Sequence, residues 1–350
     1  FVSGGSEAVE SCLKLARQWA IAVGQAERFK VVSRFPSYHG STLGALALTG
    51  YTPLGAPFAP MMREMPKIPA PTCYLDRDGR SEEERGLAYA ELLREEILRQ
   101  GPETVLAFAM EPVGGAATGA LVAPDAYYRR IREICDEFGI LLILDEVMSG
   151  AGRTGRFLAA EHWDLRPDLV ALSKGFAAGY APLGAMVADR RLVEPVLAAG
   201  GFQHGHTYAG NPLACAAGLA VLEEILDNDL MGNATRMGAL LRQGLLELQA
   251  RHPVVGDVRG KGLLMAIELV ADAATMAPFP PGLEVHRRLV EIAYRRGLIL
   301  YSRRTRGGLS GDHAMVCPPL IVTKPQLKEL LGKLDESLTA LAAELGTAAA

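Results

Sequence analysis

The chain has 350 residues, of which 36 are Lys or Arg and 40 are Asp or Glu, so its formal net charge is −4. This near balance excludes the basic face or tail of a nucleic-acid or membrane-surface protein, and a hydrophobic fraction of 49% excludes a disordered chain. No apolar run approaches the ~20 residues that cross a bilayer. At about 150 residues per domain, the length predicts two domains. The scattered cysteines form no CxxC pair, which is typical of a reducing compartment and predicts a cytoplasmic protein.

Five short apolar runs alternate with helical patterns in the first two thirds of the chain. They cover residues 30–33, 105–110, 140–144, 169–172 and 183–188. Runs of this kind are typical of strands that are buried on both faces of a parallel sheet. Between two of them, Asp125 is predicted to cap a helix that ends at Gly139. The alternation predicts a large, doubly wound α/β domain over residues 1–228.

The pattern changes in residues 229–350. A long amphipathic helix over 229–249 precedes short strands near 254–256, 262–270, 298–301 and 314–316, with a helix near 283–295 between the second and third strands. A last helix begins at Thr323, and Gln326 three residues later completes the spacing of a capping box. These elements predict a small C-terminal α+β domain.

Polar or aromatic residues follow four of the predicted strands. They are Tyr38 with His39, Glu111, Asp145 and Lys174. In open α/β sheets, ligands bind outside the carboxyl ends of the strands. Any one of these residues alone would be interpreted as a solvated strand end. Four strand ends with such residues at one edge predict a site.

The chemistry of two of these residues suggests a cofactor. Lys174 follows a strand that should be buried, where desolvation would lower its pKa and free the amine as a nucleophile. Asp145 could pair with Lys174 in a structural salt bridge, or it could hold a protonated ring nitrogen. Gly5 and Ser6 open a helix whose N-terminus would suit a phosphate, although a plain helix cap explains them too. A Schiff-base lysine, an Asp on a pyridinium and a phosphate site are together what pyridoxal phosphate requires.

Seven segments, taken in order, resemble a known family. They are SGGSEA, YHG, EPVGGA, LDEVMSGAGRTGRF, ALSKGFAAGYAPLGAM, HTYAGNPLACAAGLAVLE and GDHAMVCPPLIVT. This order is similar to that of class III aminotransferases, which have the fold of type I pyridoxal-phosphate-dependent transferases, and the likeness spans about residues 1–325. Because the family has a segment before SGGSEA and this chain begins at Phe1, we expect that segment to be missing.

The resemblance implies roles for individual residues. Lys174 would be the Schiff-base lysine and proton shuttle, and Asp145 would keep the pyridine nitrogen protonated. Thr207 would reach the phosphate of the neighbouring subunit, which implies a homodimer with shared active sites. The cofactor-binding set would be Gly5, Ser6, Tyr38, His39, Glu111, Asp145, Val147, Lys174 and Thr207. Tyr38 and Val147 would lie on opposite faces of the ring.

Three departures refine the resemblance. Ornithine and γ-aminobutyrate aminotransferases carry a glutamate and an arginine, which pair with each other, where this chain has Ala116 and Met315; Met148 replaces their common glutamine. The departures indicate the ω-amino acid:pyruvate or amine branch, in which an arginine elsewhere meets the substrate carboxylate. The candidates are Arg303, Arg304 and Arg306, which could also form a basic surface loop.

The predicted function is an aminotransferase that moves an amino group from an ω-amino acid or amine to a keto acid such as pyruvate, in a ping-pong cycle through Lys174. An aminomutase, racemase or decarboxylase on the same fold remains an alternative, because fold and cofactor do not decide the reaction. A non-catalytic regulatory module would need a DNA-binding segment, which the sequence does not contain. The spacing of the histidines predicts no metal site.

Overall fold

A computed structural model describes residues 1–346 and contains two sheets. The strands of the first sheet are β1 (Lys30–Phe35), β2 (Lys67–Pro69), β3 (Val105–Met110), β4 (Leu141–Asp145), β5 (Leu169–Leu172) and β6 (Ala185–Ala188). Their order across the sheet is β2-β1-β3-β4-β5-β6. The first five strands in this order, β2, β1, β3, β4 and β5, are parallel to one another. The last strand, β6, pairs antiparallel with β5.

Helices cover both faces of the first sheet, which is why its central strands are apolar throughout. Its helices are α1 (Gly5–Ala22), α2 (Leu43–Leu48), α3 (Thr52–Gly55), α4 (Glu82–Gln100), α5 (Asp125–Phe138), α6 (Arg190–Ala198) and α7 (Pro212–Asp227). Alternate side chains of β3 and β4 pack against α1 and α6 on one face and against α4 and α5 on the other. The doubly wound, mainly parallel arrangement is confirmed.

The second sheet is antiparallel, with strand order β7-β8-β10-β9. It consists of β7 (Val255–Lys261), β8 (Leu264–Leu269), β9 (Tyr301–Arg303) and β10 (Asp312–Val316), and its helices are α8 (Leu230–Arg251), α9 (Val285–Arg295) and α10 (Lys324–Leu345). These helices and strands share one apolar core. The division of the chain into two domains at residue 228 stays a prediction. The last four residues of the predicted C-terminal domain, 347–350, lie outside the described part of the chain.

The ends of some helices and strands agree with the sequence predictions, and others differ from them. Thr323 and Gln326 form the predicted capping box. The prediction that Asp125 caps α5 is wrong: Pro124 holds the capping position, and the Asp125 carboxylate accepts a hydrogen bond from the Trp163 indole at 2.7 Å. The strand predicted at 298–301 begins only at Tyr301, because pairing with β10 starts there.

Among residues 1–346, no helix combines the length and the apolar character needed to span a membrane.

Candidate active site

A cavity of about 560 Å³ lies at the carboxyl ends of the central strands of the first sheet. The residues predicted from the sequence that line it are Gly5, Ser6, Tyr38, His39, Glu111, Asp145, Val147, Lys174 and Arg303. Thr207, Arg304 and Arg306 do not line it. Parallel strands bring their carboxyl ends to one edge, so residues that are far apart in sequence meet here.

Asp145 is the last residue of β4, and its carboxylate is held from two sides. The Nδ1 of His39 lies 2.9 Å from one oxygen, and the Val147 amide donates to the other at 3.1 Å. The His39 amide in turn donates to the Thr49 hydroxyl at 2.9 Å. Asp145 and His39 are buried. The carboxylate is therefore fixed at the cavity wall before any ligand arrives.

Lys174 lies two residues beyond β5, at the start of a single turn of 3₁₀ helix, Lys174–Phe176. Its φ of +46° turns the chain sharply at the end of the strand. The side chain is exposed to the cavity, so a ligand can reach the amine. The surrounding protein still desolvates the amine and lowers its pKa, while the negative charges of Asp145 and Glu111 oppose that shift. The site therefore favours a neutral amine more than water does.

Glu111 follows β3 and connects two walls of the cavity. Its carboxylate accepts hydrogen bonds from the Tyr38 amide at 2.8 Å and from the Gly115 amide. The Arg34 guanidinium donates to its backbone carbonyl at 2.5 Å. Because Glu111 is buried, its oxygens act as a brace between the Tyr38 loop and the turn at Gly115 rather than as a free base.

The N-terminus of α1 opens into the same cavity. Its capping residue, Gly4, supplies no side-chain hydrogen bond, so the first amide groups of the helix remain free for an anion. Gly5 is required by its surroundings, since a Cβ there would lie 2.9 Å from a methyl carbon of Val147. The Ser6 hydroxyl accepts a hydrogen bond from the Ser41 amide at 3.0 Å, which joins the helix to the YHG loop.

The three candidate arginines have different environments. Arg303 lines the cavity, and its guanidinium lies 5.1 Å from the centre of the Tyr301 ring. Arg304 donates to the Pro281 carbonyl at 2.6 Å, and Arg306 donates to the Met276 carbonyl at 2.8 Å. The geometry therefore singles out Arg303, which the sequence could not distinguish from its neighbours.

Part of the cavity wall is apolar. Met315 is buried in a cluster against which Ala116 and Met148 pack. Ala116 and Met315, the two positions singled out in the sequence, thus belong to one apolar cluster. Sequence reasoning missed several lining residues, including Tyr51, Leu54 and Ala117. Tyr51 lies just before α3 and Leu54 lies on α3, where no strand-end pattern marks them.

Comparisons with known proteins identify the family. The model of the aminotransferase class-III family matches residues 1–338. The chain is 38% identical over 346 residues to a Bacillus subtilis (strain 168) protein named uncharacterized aminotransferase YodT, which covers 97% of this chain and 77% of the relative. It is 34% identical to the taurine–pyruvate aminotransferase of Bilophila wadsworthia, covering 98% of this chain and 76% of the relative.

A solved structure of an amine transaminase from an uncultivated Pseudomonas species, in its pyridoxal-phosphate-bound form, is 36% identical. It superposes with a TM-score of 0.91 over 97% of this chain and 76% of the other. The chain belongs to the class-III aminotransferases. It is a transaminase of a family that uses pyridoxal phosphate, so the resemblance, the fold class and the cofactor predicted from the sequence are confirmed.

Proposed function

We propose that this enzyme transfers the amino group of an ω-amino acid or amine to a keto acid such as pyruvate. In this proposal Lys174 is the catalytic amine, and Arg303 binds the carboxylate of the substrate. One observation carries the proposal: a single cavity contains the Lys174 amine, the Asp145 carboxylate and the Arg303 guanidinium. The taurine–pyruvate specificity in the name of a relative also favours a donor whose amine is remote from its acidic group.

The residues of the cavity fit pyridoxal phosphate. The free amides at Gly5 and Ser6 would hold its phosphate, since the helix dipole favours an anion there. Asp145, already fixed by His39, would keep the pyridine nitrogen protonated. When bound, this group supplies an aldehyde that captures amines and a ring that withdraws electrons.

Two further residues would orient the ring, and both are part of the cavity wall. Tyr38 is half-buried, and its backbone amide is anchored by Glu111. Val147 packs against Gly5 and donates its amide to Asp145. A ring that lies between an aromatic face and a branched aliphatic side chain would be held in one orientation toward Lys174.

Lys174 would act on protons through its Nζ atom. Because the surrounding protein desolvates this amine and lowers its pKa, it gives up its proton more readily than a lysine in water, and the neutral amine can accept a proton from the substrate carbon. The charged form that results is stabilised by Asp145 and Glu111, which both favour protonation. The same atom can then return the proton to a different carbon, which is what amino transfer requires.

Arg303 would recognise the acidic end of the substrate. A guanidinium binds a carboxylate through two parallel hydrogen bonds. Arg303 lies on an edge strand. Within the described residues, its guanidinium is not engaged by a backbone carbonyl in the way that those of Arg304 and Arg306 are, so it can bind a substrate carboxylate. The apolar wall at Ala116 and Met148 would meet the carbon chain between the two ends.

The test separates transamination from other reactions on this fold. The loaded enzyme is mixed with 5-aminopentanoate in the absence of a keto acid. We expect about one equivalent of aldehyde product per active site and then no further reaction until pyruvate is added, which is the signature of ping-pong transfer. An aminomutase, racemase or decarboxylase would continue without pyruvate, and continued turnover would contradict the proposal.

We also propose a homodimer, supported by an apolar helix that a single chain leaves uncovered. Helix α7 is apolar nearly all round, yet one chain buries only Ala214, Gly218 and Ile225 of it. Its exposed leucines are Leu213, Leu219 and Leu226. A helix of this composition belongs in an interior, and a second copy would provide one. Thr207, in the loop just before α7, would then be placed near the phosphate site of the partner.

Sedimentation tests this assembly. We expect the purified protein to sediment as a dimer, and Leu219→Glu to shift it toward a less active monomer. Ile299→Glu introduces the same charge at an exposed isoleucine before β9 and should leave the dimer intact. A fully active monomer would contradict both the assembly and the role of Thr207.

The state of the cysteines supports the expected cytoplasmic location. All five cysteines are free, and two of them, Cys12 and Cys135, are buried in the core. We therefore keep the cytoplasm, a reducing compartment, as the proposed location.

A further inference from the structure

A buried charged cluster lies between the two sheets, outside the cavity. Its centre is Arg259 on β7, which is 7% exposed. The guanidinium donates to the Glu268 carboxylate at 2.6 Å and to the Asp257 carboxylate at 3.0 Å. The guanidinium Cζ lies 4.1 Å from the centre of the Tyr74 ring. The group is fixed by contacts on three sides.

One branch of this cluster reaches the apolar wall of the cavity. The guanidinium also donates to the backbone carbonyl of Thr118 at 3.0 Å. Thr118 closes a turn with Gly115, whose carbonyl accepts the Thr118 amide at 3.3 Å. Gly115, Ala116 and Ala117 line the cavity. The turn that shapes the substrate end of the cavity is therefore held from behind by a side chain of the second sheet.

The other branch reaches the strand of Arg303. The second oxygen of Glu268 accepts a hydrogen bond from the Thr305 hydroxyl at 2.7 Å. Thr305 follows Arg303 by two residues, and both it and Glu268 are buried. The arrangement thus ties the segment after β9 to Arg259 through one carboxylate.

The space around the cluster leaves little freedom. Gly119 has a φ of +62°, and a Cβ there would lie 2.7 Å from Nη2 of Arg259. The same Cβ would lie 2.8 Å from the ring of His313, which pairs in register with Arg303. Burial lowers the pKa of His313 well below its ordinary value, and the neighbouring charge of Arg259 does so further. His313 therefore stays neutral and adds no second positive charge to the cluster.

A buried ion pair of this kind is weak support for stability alone, because desolvation offsets much of its attraction. Fixed geometry is the better explanation, since a guanidinium can hold several acceptors in one plane, whereas a lysine cannot. We propose that Arg259 is a positioning residue for the carboxylate-binding end of the cavity, and that it acts through Thr118 on the 115–118 turn and through Glu268 and Thr305 on Arg303. This inference rests on the proposed role of Arg303.

The test uses two donors of equal length, 5-aminopentanoate and pentylamine, of which only the first has a carboxylate. For the loaded Arg259→Lys enzyme we expect kcat/KM for 5-aminopentanoate to fall about tenfold, mainly through KM, with a change within about twofold for pentylamine. Thr305→Val, which removes one hydroxyl and keeps the shape of the side chain, should produce a smaller shift in the same direction. It keeps the inference testable if Arg259→Lys does not fold.

Arg153→Lys is the matched control. Arg153 also bridges toward the second sheet, through the Pro318 carbonyl at 2.5 Å, but it does not line the cavity. Its substitution should affect the two donors equally. An equal loss for both donors in Arg259→Lys, or no loss, would reduce Arg259 to a structural residue and overturn the inference.

Combining Arg259→Lys with a variant of Arg303 separates the failure of this inference from the failure of the proposed function. Arg303→Met should itself discriminate against 5-aminopentanoate, and adding Arg259→Lys to it should cause little further discrimination, because both changes act on one interaction. If Arg303→Met discriminates and Arg259→Lys does not, only the present inference fails. If Arg303→Met does not discriminate, the proposed carboxylate site fails and the inference fails with it.

Discussion

The two sheets contribute to one cavity in different ways. In the first sheet, Glu111 directly follows β3, Asp145 is the last residue of the adjacent parallel strand β4, and the turn after β5 carries Lys174. The second sheet contributes Tyr301 and Arg303 from a three-residue strand at its edge. The groups proposed to carry the chemistry are thus braced by a buried scaffold. The group proposed to select the substrate lies on an exposed strand that depends on remote contacts for its position.

The largest expected effect tests the first sheet. Lys174→Ala removes the amine that every donor would need, so turnover should fall by about 10⁴-fold, near the upper range for general acid–base catalysis. The fall should be equal for 5-aminopentanoate and pentylamine, measured as aldehyde formation by the loaded enzyme. Lys328→Ala, at an exposed position on α10, is the control and should retain full turnover. Comparable rates for the two variants would remove Lys174 from the reaction.

Asp145→Asn should have the next largest effect. The amide keeps the shape of the side chain but lacks the charge, and the loss of one fixed electrostatic group lowers kcat by on the order of 10²- to 10³-fold. Steady-state kinetics with either donor would measure it.

Asp168→Asn provides the contrast within the same sheet. Asp168 precedes β5, at the edge away from the cavity, and accepts the Leu142 amide at 2.7 Å. Its substitution should lower the melting temperature and leave kcat nearly unchanged. If Asp168→Asn lowered kcat and Asp145→Asn lowered only the melting temperature, then the assignment of chemistry to the cavity edge of the sheet and of a structural role to the opposite edge would be wrong.

The features of the first sheet could be predicted because each leaves a local signal. Buried parallel strands appear as apolar runs, and the residue after each run must lie at the carboxyl edge. That reasoning located Glu111, Asp145 and Lys174 without a structure. It also predicted that the protein would desolvate the Lys174 amine and lower its pKa, but it did not predict the positive φ of Lys174 at the end of the strand.

The contribution of the second sheet could not be predicted in the same way. Three arginines lie within four positions, and which of them faces the cavity depends on the pairing of β9 with β10. Tyr51 reaches the same cavity from a connection between helices. Such contacts arise from the packing of segments that are distant in sequence, so no local period marks them.

The buried carboxyl group of Glu146, next to the end of β4, should make the stability of the protein depend on pH. It follows Asp145 but does not line the cavity: Ala160 donates its amide to one oxygen at 2.9 Å, and the Ser149 hydroxyl donates to the other. Burial raises the pKa of Glu146 from 4.5 to about 7, so the folded protein prefers the protonated form. Its contribution to stability is complete below the unfolded pKa and is lost as the pH rises through the folded pKa.

Glu146→Gln imitates the protonated form and should not lose stability in that window. Relative to the natural protein, the variant should gain up to about 3 kcal/mol in free energy of unfolding between about pH 5 and about pH 8. Urea unfolding of both holoenzymes at the two pH values measures the gain. A difference that stays constant across this range would mean that Glu146 is ionised in the folded protein.

The smallest expected effect tests the second sheet most directly. Arg303→Met should lower kcat/KM about tenfold for 5-aminopentanoate and much less for pentylamine, because one charge-assisted contact is lost and only the first donor makes it. Arg304→Met and Arg306→Met are matched controls, since their guanidinium groups bind the backbone carbonyls of Pro281 and Met276. They should destabilise the loop without separating the two donors. If Arg304→Met or Arg306→Met separated the donors instead, the substrate would draw a different arginine into the cavity, and selection would depend on movement of the loop after β9 rather than on its position in this structure.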